Sequence, residues 1–204
     1  MIIGVDLDEV LAGVLPELIK YHNDKYNTNF EKEQFNSFDL WKIWNCTKEE
    51  SLERVFDFYN SKYFRNIQPV EGSQEAIDIL SKKHDLVVIT SRASVVKDKS
   101  IEWLSNYFPD KFSKACFTSP WYEEESGYEK AQACKELKVK VHIDDNLSFA
   151  RKCSENGTKV LLYNQPWNQL DKSDSLPENM KRVYSWNDIV EKIQGLEDEM
   201  YRMQ

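Results

Sequence analysis

The chain has 204 residues, of which 41% are hydrophobic and 30% charged, and it carries a formal net charge of −8. That is enough apolar material for a sizeable core and enough length for one domain with an insertion. The acidic balance excludes a basic footprint for duplex nucleic acid or an anionic membrane surface, so an anionic ligand needs placed cations or a metal.

The chain opens MIIGVDLDEVLAGVL, and its β-branched run Ile2 to Val5 reads as a strand buried on both faces of a sheet. Asp6 and Asp8 follow at the C-terminal end of that run. A helix is expected over Pro16 to Tyr26, then the aromatic-rich stretch FNSFDLWKIW and a second helical segment from Glu49 to Ser61. The pattern changes at EGSQEAIDILSKK, a helix, after which come the strand DLVVIT, a helix from about Val95 to Tyr107, and the short apolar segment KACFTS. The helix GYEKAQACKEL, the strand VKVHID, the helix NLSFARKCSEN and the strand TKVLLYN follow in turn. A loop holding Pro166 and Pro177 then leads to a C-terminal helix from Trp186.

This alternation implies an α/β fold: a Rossmann-like, mainly parallel sheet with helices on both faces, and a small helical cap of roughly fifty residues inserted after the first strand. The expected boundaries are 1–13 and 67–204 for the core domain and 14–66 for the cap. No run approaches the length of a membrane span, and no cationic segment with a cleavable apolar region precedes the first strand, so a cytoplasmic location is expected. Cys46, Cys116, Cys134 and Cys153 show no CxxC spacing, and the three histidines do not cluster beside them. Reduced thiols without zinc are therefore expected.

The strand ends carry the chemistry. DLVVIT finishes at Thr90-Ser91-Arg92 and VKVHID at Asp144-Asp145-Asn146. Parallel strands place their C-terminal ends on one side, so Asp6, Asp8, Thr90, Ser91, Asp144 and Asp145 converge at one sheet edge, where ligands of open α/β sheets bind. Carboxylates brought together repel unless a cation sits among them, and hard oxygen donors favour Mg²⁺ over zinc. A phosphate ligand also needs a lysine. The segment Ser126 to Glu129 reads as a capping box that puts Lys130 near the first turn of its helix, close to the site. Lys135 would lie roughly 7 Å further along at ~1.5 Å per residue, and it reads with Lys138 as surface charge.

DLDEV, VVITS, the lysine on the next suitable helix and HIDDN resemble, in order, the four motifs of haloacid dehalogenase-type phosphatases, over roughly residues 1–13 and 67–165. Within that superfamily the chain is most similar to the 5'(3')-deoxyribonucleotidases, through the helical insertion, the re-entry YFRNIQPVEGSQEAIDIL, TS closing the second motif and IDD in the fourth. The resemblance implies a Mg²⁺-dependent phosphomonoesterase acting on nucleoside monophosphates, with Asp6 as nucleophile and Asp8 as general acid and base. It further implies Thr90 and Ser91 on the phosphoryl oxygens and Lys130 neutralising charge. Asp6, Asp8 through its main-chain carbonyl, and Asp145 would hold the metal, with Asp144 a ligand or a support to it.

Phe35, Phe38, Trp41, Trp44, Phe56 and Tyr59 make the insertion aromatic. Most are expected in the cap's own core, and by resemblance Trp41, in the pair Leu40-Trp41, is expected against the nucleobase. Two positions depart from the family: Glu9 stands where many members have Gly, and Val14 where an aromatic often lines the pocket. Another small phosphoester is the alternative substrate. A phosphoacceptor signalling domain is less consistent, since its phosphorylated Asp ends a middle strand, and a non-catalytic binding protein is expected to lack the nucleophile or acid that this chain has. A homodimer is compatible with the sequence.

Overall fold

The computed structural model describes residues 1–118 and 126–202, with side chains described for 1–118 and 130–198. Strand β1 (Ile2–Val5) runs through the short β2 (Ala12–Gly13) into helix α1 (Val14–Tyr26). The helices α2 (Leu40–Ile43), α3 (Lys48–Tyr59) and α4 (Lys62–Arg65) follow, and β3 (Gln68–Pro69) brings the chain back by pairing antiparallel with β2. From there α5 (Ser73–Leu80), β4 (Asp85–Thr90), α6 (Lys97–Tyr107), β5 (Lys114–Phe117) and α7 (Ser126–Glu136) alternate. The chain continues through β6 (Val141–Asp144), α8 (Leu147–Glu155), β7 (Lys159–Tyr163), β8 (Met180–Val183) and α9 (Trp186–Arg202).

The main sheet has six strands in the order β5-β4-β1-β6-β7-β8, all parallel. Side chains alternate across it with period two, and both faces are apolar, as a parallel sheet between helical layers requires. Ile3, Val5, Leu86, Val88, Val141, Ile143 and Leu161 belong to one core, with Ile77, Trp103 and Ile189 from α5, α6 and α9. Val87, Ile89, Val160 and Leu162 belong to the other, with Ala131 and Cys134 of α7 and Ala150 and Cys153 of α8. The larger core also takes in Tyr21, Phe35, Trp44, Phe58 and Tyr59, so the helices between β2 and β3 share apolar packing with the sheet layer. No helix among the described residues is long and apolar enough to cross a membrane.

Two departures from the sequence reading stand out. The stretch containing Pro166 and Pro177 is not wholly loop: Pro166–Asn168 forms a 3₁₀ turn and Met180–Val183 adds the edge strand β8. The two-residue ladder between β2 and β3 clamps the entry and exit of the helical segment, and neither strand is long enough to show a periodicity.

Gly4 is required by packing in the central strand. A Cβ there would lie 2.8 Å from the Nδ1 of His142 and 3.1 Å from the Cδ1 of Ile89, two fully buried side chains that would have to shift. Gly4→Ala is expected to destabilise the fold by about 1–3 kcal/mol through overpacking, read as a lower denaturation midpoint. An unchanged midpoint would show that the layer under β1 is looser than these distances say.

Candidate active site

The edge at the C-terminal ends of β1, β4 and β6 opens into a cavity of about 170 Å³ whose polar lining includes Asp6, Asp8, Thr90, Ser91, Lys130 and Asp145. Residues 2 and 4 share a face with residues 142 and 144 of the neighbouring strand, the face covered by α7 and α8. This pleat explains why Asp6 and Asp144 meet Lys130, which descends from α7. The Nζ of Lys130 lies 2.9 Å from Asp6 Oδ1 and 2.8 Å from Asp144 Oδ2, at 1% exposure. Burial opposes its charge, but the carboxylates of Asp144 and Asp6 outweigh burial and raise its pKa, so it stays an ammonium. Lys135 and Lys138 are exposed. The Ser126–Glu129 side chains lie outside those described.

Three carboxylates, Asp6, Asp144 and Asp145, each offer an oxygen within 4.8 Å of the others, all buried. Lys130 brings a single positive charge. Burial pushes Asp6 up to about 6 in spite of Lys130, with Asp144 and Asp8 adding to the rise. Asp145 is raised well above the usual carboxylate range, again by burial first and then by Asp6 and Asp144. Asp144 differs: burial would raise it, but Lys130 and the His142 ring, 3.0 Å from its Oδ2, hold it below the usual range. Its Oδ1 accepts the Asn146 backbone N–H at 2.8 Å. Two buried acids thus remain short of positive charge in a set of hard oxygen donors, and such a site fits a divalent cation like Mg²⁺.

Beyond the acids, Thr90 is 1% exposed and accepts the Arg92 N–H at 3.2 Å, while the hydroxyls of Ser91 and Thr118 are 3.1 Å apart. Asp145 is anchored from residues that sequence reasoning missed. Trp167 Nε1 donates to its Oδ2 at 2.8 Å, and Asn168 Nδ2 donates to its backbone carbonyl at 2.7 Å. Arg182 on β8 in turn holds the backbone carbonyl of Asn168 at 2.7 Å. Arg92, unassigned by its sequence context, donates to Asp8 from both Nε and Nη2.

Glu9 occupies a left-handed conformation, φ 57°, the region that glycine adopts without strain. Here the carboxylate earns the position a second role. Its Oε1 accepts the Leu15 N–H at 2.6 Å and caps α1, whose preceding residue Gly13 offers no side chain to do so. Burial lifts the Glu9 carboxyl to about 7.

The cavity wall is apolar and built largely by the helical segment: Val14, Leu15, Leu18, Phe35, Phe38, Leu40, Phe58, Tyr59 and Phe64, joined by Phe149 and Trp167. Leu40 lines the cavity and Trp41, its neighbour in the expected pair, is not among the lining residues. α2 spans four residues, and it turns Leu40 to the cavity while Trp41 takes Lys42 against its ring at 5.1 Å. Trp44 stacks on His22 at 4.6 Å inside the helical segment. One correction concerns the cysteines and the expectation that no histidine clusters beside them. Cys134 and Cys153 approach to 3.9 Å, and His142 joins them in a buried group, because α7 and α8 pack side by side and α8 lies against β6.

The fold is that of the haloacid dehalogenase-like hydrolases. A HAD-superfamily hydrolase from Geobacter sulfurreducens superposes with a TM-score of 0.62 at 15% identity over 94% of this chain and 98% of its own. A predicted phosphatase from Clostridium acetobutylicum gives 0.69 at 17% identity over 95% and 98%. At the level of sequence, a 5'(3')-deoxyribonucleotidase of Bacillus subtilis is 27% identical over 195 residues, 94% of this chain and 98% of that protein. The family model described as 5' nucleotidase, deoxy (pyrimidine), cytosolic type C protein matches residues 1–197, and the chain belongs to this family. It is a phosphoric monoester hydrolase of the 5'-nucleotidase type.

Proposed function

We propose that the protein dephosphorylates (deoxy)nucleoside monophosphates through an aspartyl-phosphate on Asp6, with residues 14–66 serving as a cap over a core of 1–13 and 67–204. The observation that carries this reading is one cavity joining two chemistries: the Asp6–Lys130–Asp145 floor and a wall rich in aromatic rings. Asp6 attacks phosphorus as the bond to the nucleoside oxygen breaks, and Asp8 delivers a proton to that oxygen. Asp8 then takes a proton from water as the water displaces Asp6, giving inorganic phosphate and free enzyme. Thr90 and Ser91 hold phosphoryl oxygens by hydrogen bonds, and Lys130 keeps charge off the nucleophile and the transferring group. Asp6, the Asp8 main-chain carbonyl and Asp145 would hold Mg²⁺, which when bound supplies further neutralisation of the phosphoryl charge. Asp144, whose oxygens already serve Lys130, His142 and Asn146, supports the lysine.

The test is phosphate release from a panel of nucleoside 3'- and 5'-monophosphates, ribo and deoxy, beside sugar phosphates, with Mg²⁺ or with a chelator. Nucleotides should be the preferred substrates, and the chelator should stop all turnover. Preference for a sugar phosphate over every nucleotide would reject the substrate assignment. Full turnover in the chelator would reject the metal.

Phe38 is the best-placed cap residue for the base. It is 43% exposed yet lines the cavity, with its ring 5.8 Å from that of Trp167 at 64°. Phe38→Ala is expected to raise KM for nucleotides roughly 5- to 150-fold, the value of one lost stacking contact of ~1–3 kcal/mol, and to spare a small alkyl phosphate. Trp41→Ala should leave the nucleotide KM unchanged. The opposite pattern would return the base to Trp41.

A further inference from the structure

Arg92 has an arrangement that the phosphoryl chemistry above does not use. Its side chain is 2% exposed and fixed from three directions. Nε and Nη2 donate to Asp8 Oδ1 at 2.8 and 2.5 Å, and Nη1 donates to Ser100 Oγ at 2.9 Å. The Ser100 hydroxyl gives its own proton to the Val96 carbonyl at 2.8 Å, so its lone pair is aimed at the guanidinium. The guanidinium carbon lies 5.3 Å from the ring centroid of Phe64, at the end of the helical segment. Asp8, in contrast, has a side chain 38% exposed, although its backbone is held in an isolated bridge to Ala12.

We propose that Arg92 is the positioning residue of Asp8: by occupying Oδ1 with two N–H donors it reserves Oδ2 as the oxygen that gives and takes the proton. An oxygen already accepting two charge-assisted hydrogen bonds has a donor where a proton would sit, so the mobile proton belongs to the other oxygen. The planar fork also fixes the plane of the carboxyl, which a single ammonium does not do. Ser100 and Phe64 hold the fork itself, and they tie the angle of Asp8 to α6 and to the exit of the helical segment. This inference rests on the reading of Asp8 as general acid and base.

The experiment compares a nucleoside 5'-monophosphate, whose alkoxide needs a proton to leave, with p-nitrophenyl phosphate, whose phenolate leaves without one. For Arg92→Met, kcat/KM on the nucleotide should fall about 10²-fold, at the low end of the range for a lost general acid, and stay within a few-fold on the aryl ester. Because Asp8 also serves the hydrolysis step, the aryl ester should now give a burst of one p-nitrophenolate per enzyme followed by a slower steady rate. Arg92→Lys should not restore the nucleotide rate. The double variant with Asp8→Asn should be no worse than Asp8→Asn alone, since the arginine acts through that side chain. Equal losses on both substrates, or additive losses in the double variant, would place Arg92 on the phosphoryl group and overturn the proposal. Wild-type protein silent on both esters would instead overturn the phosphatase reading, so the two failures are told apart.

Discussion

Asp6→Asn is expected to bring phosphate release down to background, a loss on the order of 10⁴-fold or more, because the neutral amide neither attacks phosphorus nor offers an anionic oxygen to a cation. The structure sharpens the expectation. Asp6 is buried and sits on the shared Lys130 ammonium at 2.9 Å, so the substitution removes one of the two carboxylates that hold the lysine while leaving volume and packing almost unchanged. The fold should therefore survive, and the loss should read as chemistry. Measured phosphate release from a nucleoside monophosphate, with a denaturation curve beside it, checks both halves. Turnover close to that of the unaltered protein would end the nucleophile assignment.

Lys130→Ala should be costly in both activity and stability. Its removal leaves Asp6 and Asp144 buried without the cation that lies 2.9 and 2.8 Å from them, and breaking a buried pair from one side typically costs about 3–5 kcal/mol. The ammonium also lies 5.0 Å from the ring of Phe149, so the alanine opens a void beneath that ring. Lys135→Ala, on the exposed side of the same helix, should match the unaltered protein in midpoint and in rate. A Lys130→Ala protein that keeps both, or a Lys135→Ala protein that loses either, would reject this division of labour between the two lysines.

Much of this site was legible because it obeys a local rule: an apolar run followed by an acid or hydroxyl marks a parallel strand and its functional end. β1, β4 and β6 each carry that signature, and Asp6, Thr90 and Asp144 close them. β8 does not. Its sequence MKRV is an edge strand with Lys181 and Arg182 in its middle, and charged edges look like loop when read alone. Trp167 and Asn168 were hidden for a related reason, since a three-residue turn has no periodicity and its partners lie more than twenty residues away in Asp145. The Arg92–Asp8 pair spans a sequence separation of 84 residues, and nothing short of the folded sheet links them. Which of Leu40 and Trp41 lines the cavity was not legible either, at the scale of one residue. A four-residue helix does not fix, from sequence, which of two neighbours faces inward.

The strand order has a consequence for how the molecule comes to exist. β1 lies between β4 and β6, with Ile2 opposite Asp85 and Ile3 opposite Val141. The strand that is made before either neighbour is thus completed late, after two long chain closures whose entropy must be met before any inter-strand bond to it can form. During translation its apolar residues have no sheet to join until β4 has been made, and they remain open on the second side until β6 follows. Folding of this chain should be slow and hard to begin from the N-terminus, and nascent chains that stop short of β6 should be prone to aggregate. The same interleaving means that a partly made chain holds Asp6 without Asp144 or Asp145, so the acidic site forms only with the closing of the sheet.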